Sequence, residues 1–285
     1  MNPSEDALNS QPCAGASIAP FAWRIERFAE VDSTNLAIKR AIVAGQPEGL
    51  AIAAARQTAG YGRQGRAWSS PEGSLYASVL LKPELSREAM RHLPTLSLVV
   101  GLAVRDAVLQ TFAGLDAGLL KVKWPNDVLY GDAKLCGIST ELVDGALCVG
   151  IGVNVFAPAC ANASLPGNES KRAVASGKYR FAYAAHENGD DSQSRPDAVE
   201  ELLEATLDCL RRRYVVWSAE GFAPFKAEFD HVMAWRGRIV RLETMDGAVR
   251  ESGVVCGVDE VGRLLLRDAA GVCRAATSGE VHVVC

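Results

Sequence analysis

Between Ala55 and Trp68 the chain reads ARQTAGYGRQGRAW, which sets Gly60, Gly62 and Gly65 around Arg63 and Arg66. Glycines let a backbone approach a ligand and reach positive φ, and arginines offer planar donor forks that suit phosphate or carboxylate. The segment therefore suits closure over an anion. Gly60-x-Gly62-x-x-Gly65 has the spacing of a dinucleotide fingerprint, but that reading needs a helix to open at the third glycine, and Pro71 and Gly73 forbid one. No GKS or GKT marks a P-loop, and no HRD or DFG follows as in a kinase. Three glycines alone describe an ordinary hairpin equally well; Gln57, Arg63, Arg66 and Trp68 weigh against it.

Three further constellations carry chemistry. In Lys121-Val122-Lys123-Trp124-Pro125-Asn126-Asp127, strand alternation puts both lysines on one face and Val122 and Trp124 on the other. In Val128–Leu135, Gly131 suits the first position of a two-residue hairpin turn. If Tyr130 pairs with Ala133, Leu129 faces Lys134 and Asp127 is its diagonal neighbour, about 7–8 Å away between backbones. An acid and an ammonium then look into one space, whether as a site or as a plain cross-strand pair. Finally, Gly150 and Gly152 strip side chains from one face of an apolar strand that ends at Asn154, which means a close approach by a ligand or a bulge.

The elements that must position these residues read as mixed α/β. Strands are expected at Arg24–Val31, Leu50–Arg56, Leu75–Lys82, Leu120–Trp124, Leu135–Val143 and Leu147–Val155. Asp32, Ser33 and Thr34 are expected to cap a helix carrying Ala37, Ile38, Ala41, Ile42 and Ala44; Gly45 and Pro47 stop it. Pro94 opens a long helix that ends near Gly114, and Asp197 caps one with Leu202, Leu203, Leu207, Leu210, Tyr214 and Trp217 on a single stripe. Residues 157–196 have no period and read as a variable insertion. After Trp235, short strands punctuated by Asp246-Gly247, Glu260-Val261-Gly262 and Ala270-Gly271 read as a small barrel. The expected organisation is an arm at 1–23, a large domain at 24–235 and a small one at 236–285.

At 285 residues, 48% of them hydrophobic, the chain can bury a large core, and its net charge of −4 supplies no global basic field for nucleic acid or membrane. Eight cysteines without a CxxC pair and four dispersed histidines suggest neither a zinc site nor a disulfide framework, and fit a reducing cytoplasm. The longest apolar run, Leu96–Val104, is short for a bilayer.

Taken together, Asp32-Ser33-Thr34-Asn35, the Gln57–Trp68 segment, KWPND at 123–127, Lys134-Leu135-Cys136-Gly137 and GIGVN at 150–154 resemble the biotin protein ligases in order and spacing. The resemblance spans roughly residues 24–285. It implies a catalytic domain whose mixed sheet is related to class II aminoacyl-tRNA synthetase cores, followed by an SH3-like domain. It also implies that biotin and ATP give biotinyl-5′-adenylate, and that a lysine of a carboxylase's biotin carrier domain then accepts the biotinyl group. Biotin would meet Ser33, Thr34, Gln57, Gly60, Tyr61, Gly62, Arg63, Trp68, Lys134, Gly137, Gly150 and Gly152. ATP would meet Arg63, Arg66, Trp68, Lys123, Asn126, Asp127 and Asn154, with Asp127 on Mg²⁺ and Lys134, Arg63 and Lys123 catalytic.

Two departures stand out. The family's commoner loop is GRGRxGR, and Tyr61 replaces its first arginine. Residues 1–23 offer no winged helix-turn-helix of the kind that bifunctional members carry, so DNA binding is not expected. The resemblance leaves two rival readings, a corepressor that senses the adenylate and a lipoate ligase. The expected state is a cytoplasmic monomer or weak homodimer.

Overall fold

The computed structural model describes residues 21–157, 181–189, 195, 197–244 and 247–284. Among them, strands β1 (Arg24–Val31), β2 (Leu50–Gln57), β3 (Leu75–Leu81), β4 (Leu120–Lys123), β5 (Asp127–Tyr130), β6 (Ala133–Val143) and β7 (Ala146–Val153) form one sheet in the order β1-β2-β3-β7-β6-β5-β4. Only the β1–β2 pair is parallel. The strand ends fall within a few residues of those expected.

Period-two alternation sorts the sheet into two faces. One face carries Ala51, Ala53, Leu75, Ala77, Val79, Leu81, Val149, Ile151 and Val153 into the main core. Helix α3 (Leu96–Thr111) and helix α5 (Ala198–Glu220) belong to that core, α3 with nearly its whole circumference buried. By length and composition Met90–Thr111 is apolar enough to cross a bilayer, which the run at 96–104 understated. Its side chains are core instead, each large one contributing about 1.5–3 kcal/mol by burial. A short helix α2 (Arg87–His92), not anticipated from the sequence, and a single 3₁₀ turn at Leu93–Thr95 precede α3, which ends at Thr111 rather than near Gly114.

Helix α1 (Thr34–Val43) covers part of the opposite face, where Ile38 and Ile42 pack on Leu50, Ile52, Leu80, Ala146 and Cys148. Its capping differs from expectation. The Ser33 side chain makes no cap bond. The first-turn amide of Thr34 donates to Gln57 Oε1 of β2 at 2.8 Å. Asp32 is instead taken by both Arg40 nitrogens at 2.7 and 2.9 Å, which holds its carboxyl down at about 2. Asp197 likewise precedes α5 without a side-chain cap bond.

The segment expected to lack structure is partly ordered. Phe181 bridges to Lys134, Ala182, Ala184 and Ala185 are buried, and Ala184–Glu187 forms a helical turn, α4; residues 158–180 lie outside the described set. At the other end, Phe21 packs against Tyr214 at 6.2 Å and Trp23 Nε1 donates to Leu207 O at 2.8 Å, so the described end of the arm is held on α5.

Helix α6 (Lys226–Val232) leads to β8 (Ile239–Glu243), β9 (Val249–Val258), β10 (Leu264–Arg267), β11 (Cys273–Ala276) and β12 (Glu280–Val283). These form an antiparallel sheet in the order β11-β10-β9-β8-β12. It is tied to the β4–β5 turn through Trp124 Nε1, which donates to Gly262 O at 2.9 Å, and to α6 through Asp230, which accepts from Val258 N at 2.9 Å.

The fit of α3 on the sheet is tight at Gly101, where a methyl group would lie 2.7 Å from Val122 Cγ1, a stiff β-branched neighbour. Gly101→Ala should therefore lose about 1–2 kcal/mol in urea unfolding, overpacking outweighing a helix-propensity gain of just under 1 kcal/mol. Adding Val122→Ala should return part of that loss. A more stable single variant would contradict this packing.

Candidate functional site

Beyond the N-terminal end of α1, the same sheet face changes character. Tyr76 and Ser78 of β3, Gly150 and Gly152 of β7, and Gly137 and Ser139 of β6 replace the apolar residues that α1 covers. This uncovered strip is the floor of a cleft of about 60 Å³. Thr34, Asn35 and Gln57 form one wall, and Tyr61, Gly62, Arg63 and Trp68 form the roof. Asn126 and Lys134 close the other side. A methyl at Gly150 would lie 2.2 Å from Asn35 Oδ1, and one at Gly152 would lie 3.1 Å from the Trp68 indole. The strand glycines thus mark a close approach, not a bulge.

Buried polar groups knit the floor together. Ser78 Oγ lies 2.7 Å from Thr34 Oγ1 and 2.6 Å from Asn35 Oδ1, and Asn35 Nδ2 donates to Ser139 Oγ at 3.0 Å. Thr34 Oγ1 donates to Gln57 Oε1 at 3.1 Å, and Gln57 Nε2 to Ser70 Oγ at 2.8 Å. Burial pushes the Tyr76 phenol up to about 12, so it stays protonated and donates to Pro71 O.

The glycine-rich loop folds back on itself. Trp68 N donates to Gly60 O and Gly62 N to Arg66 O, both at 2.8 Å, around an antiparallel bridge between Tyr61 and Ala67. Gln64 (φ 61°) and Gly65 (φ 72°) make the left-handed turn at its tip. Trp68 reaches back so that its indole stands over Gly137 and Gly152, with the buried Nε1 lacking a hydrogen-bond partner among the described residues.

The acid and the ammonium meet across an irregular ladder. Tyr130 pairs with Ala133 and Leu129 with Lys134 as expected, but the register then shifts, so that Val128 meets Cys136 and Asp127 meets Gly137. Leu135 is the extra residue on β6. Opposite a residue with no side chain, Lys134 Nζ reaches Asp127 Oδ1 at 2.8 Å and sits 5.2 Å from the Trp68 ring centre. Lys123 Nζ lies 3.9 Å from Asp127 Oδ2, and burial lowers its pKa below the ordinary lysine value. Arg63 is also lowered by burial; its Nη1 donates to Asn126 Oδ1 at 2.8 Å, and Asn126 is itself held by Ile138.

Of the residues expected at the site, Thr34, Gln57, Tyr61, Gly62, Arg63, Trp68, Asn126, Lys134, Gly137, Gly150 and Gly152 line the cleft. Asp127 and Lys123 stand directly behind Lys134. Four residues lie elsewhere. Ser33 is buried before α1, and Gly60 packs against Ser70 and the Trp68 carbonyl. Arg66 pairs with Glu280 of β12, outside the cleft lining. Asn154 Nδ2 donates to Lys134 O at 3.2 Å and so braces the strand behind the site. Sequence reading missed Asn35, Tyr76, Ser139 and Glu280. Alternation from Gly137 and Gly150 would have found Ser139, but no local signal marks Glu280.

A model of the biotin/lipoate A/B protein ligase family matches residues 28–155. The biotin--[acetyl-CoA-carboxylase] ligase of Paracoccus denitrificans is 33% identical over 256 residues, covering 85% of this chain and 94% of the relative. The bifunctional ligase/repressor of Bacillus subtilis is 28% identical over 232 residues, and the match covers 79% of this chain but 64% of that longer protein. The biotin protein ligase from Aquifex aeolicus in complex with biotin and ATP superposes with a TM-score of 0.72 at 30% identity, covering 91% of this chain and 98% of that one.

Removing the Asp127 charge leaves two enclosed ammonium groups without their counter-ion. Asp127→Asn should cost about 2–4 kcal/mol at pH 7. A lysine with a depressed folded pKa binds fewer protons in the native state than in the unfolded chain, so stability rises with pH up to the free value of 10.5. The deficit should therefore shrink between pH 7 and 9.5 in denaturant titrations, and a constant or growing deficit would refute the enclosure.

Proposed function

Because the chain belongs to the biotin protein ligase family, we propose that it joins biotin and ATP as biotinyl-5′-adenylate and then transfers the biotinyl group to a lysine of a carboxylase's biotin carrier domain. The observation that carries this reading is the meeting of the glycine-rich loop with Lys134 and Asp127 around one cleft. In the first step a biotin carboxylate oxygen bonds to the α-phosphorus, and the bond to pyrophosphate breaks. Two anions must approach, so fixed cations that gain strength as charge builds are the main requirement. Lys134 is the nearest candidate, with Arg63 and Lys123 behind it in an enclosed setting where charge is poorly screened. In the second step the carrier's amine bonds to the anhydride carbonyl carbon, loses a proton, and expels AMP.

Thr34, Gln57 and the backbone of Gly60–Gly62 and Gly137 suit the ring amides of biotin. Gly150 and Gly152 leave room for its flat bicycle, and Ser33 supports Thr34. Arg66, Asn126 and Asn154 are assigned to the nucleotide side. For Mg²⁺ the protein supplies little by itself: among the described residues no three His, Cys, Asp or Glu side chains gather, and Asp127 faces two lysines. Such a donor set suits magnesium that arrives on phosphates, with Asp127 as its one protein carboxylate. There it would neutralise phosphate charge.

At about 60 Å³ the cleft is far below the roughly 300 Å³ at which small-molecule sites begin. Trp68 and the loop tip must therefore lift to admit substrate and then close as a lid over a hydrolysable product. We place the activity in the cytoplasm, in a monomer or weak homodimer.

The direct test is to incubate the protein with biotin, MgATP and a carrier domain. The carrier should gain the biotinyl mass on one lysine, and free lipoate should not compete. An unmodified carrier, or equal use of lipoate, would overturn the assignment. Lys134→Ala should slow biotin-dependent pyrophosphate release by about 10²–10³-fold while biotin binding stays measurable, the scale of losing one transition-state donor. Release near the parent rate would remove Lys134 from the chemistry.

A further inference from the structure

We propose that Tyr61, acting through Glu141 and Lys39, is a positioning residue that anchors the first half of the glycine-rich loop over one end of the cleft before any ligand arrives. Only its kinetic consequence rests on the reading of the cleft as a biotin site. Tyr61 Oη donates to Glu141 Oε1 at 3.1 Å, and Lys39 Nζ holds Glu141 Oε2 at 2.5 Å. The same ammonium sits 5.2 Å from the Tyr61 ring centre, which closes the three residues into a ring of contacts.

Their placement follows from periodicity. Glu141 stands two residues past Ser139 and four past Gly137 on β6, so its side chain rises from the face that floors the cleft. Lys39 lies one helical turn after Asn35 on α1, the other wall. Tyr61 itself lines the cleft and is half-buried, so its ring both walls the site and ties loop, sheet and helix together. Burial raises the phenol, and Glu141 and Tyr61 together raise Lys39 against the effect of its burial, so donor and cation both persist at neutral pH.

The loop's two halves are held in different ways. Thr58 N and Ala59 N donate to Val31 O and Asp32 O, and Tyr61 follows them onto Glu141. Past Gly62 the chain turns through the exposed Gln64 and Gly65, and its side-chain ties are Arg63 to Asn126 at 2.8 Å and Arg66, 41% exposed, to Glu280. The pivot for any movement of Arg63 and Trp68 therefore lies after Tyr61, and the anchored half presents its backbone to substrate without first being ordered.

Trypsin cleavage at Arg63 and Arg66 of the unliganded protein, read beside steady-state kinetics, tests this. Tyr61→Phe should speed cleavage and raise the KM for biotin, each by about tenfold, the scale of one hydrogen bond to a charged group, with kcat changed by less than about twofold. Lys39→Met and Glu141→Gln should do the same, and Tyr61→Phe with Lys39→Met should be no worse than either alone, because one unit is broken once. Tyr61→Arg with Lys39→Met, which puts donor and cation back on Glu141 in one side chain, should restore both readouts, cleavage being scored by mass at Arg63 and Arg66 alone because the substitution adds a trypsin site of its own. Unchanged cleavage in Tyr61→Phe, additive losses, a matching fall in kcat or a failed restoration would each overturn the anchor. Cleavage is measured without substrate, so a parent protein that forms no adenylate would sink the proposed reaction and leave this result standing.

Discussion

The contact between Lys134 and Asp127 constrains everything around it. Both side chains are more than four-fifths enclosed and 2.8 Å apart. At an effective dielectric of 20 their attraction is about 6 kcal/mol, while taking each ion out of water costs several. The pair is therefore near break-even as a stabilising device. Lys123 and Arg63 then add two more cations around this single carboxylate, and burial lowers the pKa of both. A chain with net charge −4 thus gathers positive charge in one partly dry corner. Such a corner is unfavourable until an anion arrives, which is the property that activation of one anion by another requires.

The rest of the fold serves that corner by subtraction. The sheet is apolar on both faces wherever a helix covers it, through α3 and α5 on one side and α1 on the other. Where α1 ends, the same strands carry glycine and hydroxyl side chains, and the backbone itself becomes the floor. The single-residue bulge at Leu135 is part of the same design: it sets Gly137 opposite Asp127 and clears the path for the lysine.

Much of this was legible in the sequence, and the reasons are physical. Strand alternation and helical stripes are local signals, so β1–β7, α3 and α5 could be located, and the hairpin at Gly131 fixed the 129/134 register. The pairs that failed to show depend on chain distant in sequence. Gln57 in place of Ser33 as acceptor for the first turn of α1, Glu280 as partner of Arg66, and the docking of Phe181 beside Lys134 are set by topology and leave no mark on neighbouring residues. Cap side chains were misread for the same reason. Asp32 has a competing cation eight residues on, and a bidentate arginine holds its carboxylate in place of a helix amide. The strand glycines were the most informative signal, because an absent side chain constrains a face however the chain is connected.

How the loop is fastened decides what its movement costs. The Arg66–Glu280 tie has one partner 41% exposed, and pairs of that kind contribute about 0–1 kcal/mol, so phosphate oxygens can displace it at little expense. Gln64, held at φ 61° without being glycine, adds mild strain that favours rearrangement of the tip. Trp68 is the larger barrier, since lifting its indole bares Gly137 and Gly152 to water, yet its unpartnered Nε1 lowers that barrier by leaving no hydrogen bond to break. A bicyclic ligand sliding onto the same glycines would replace the indole's contacts almost one for one. In the proposed reaction, binding would then exchange one ring contact over Gly137 and Gly152 for another rather than create a new one.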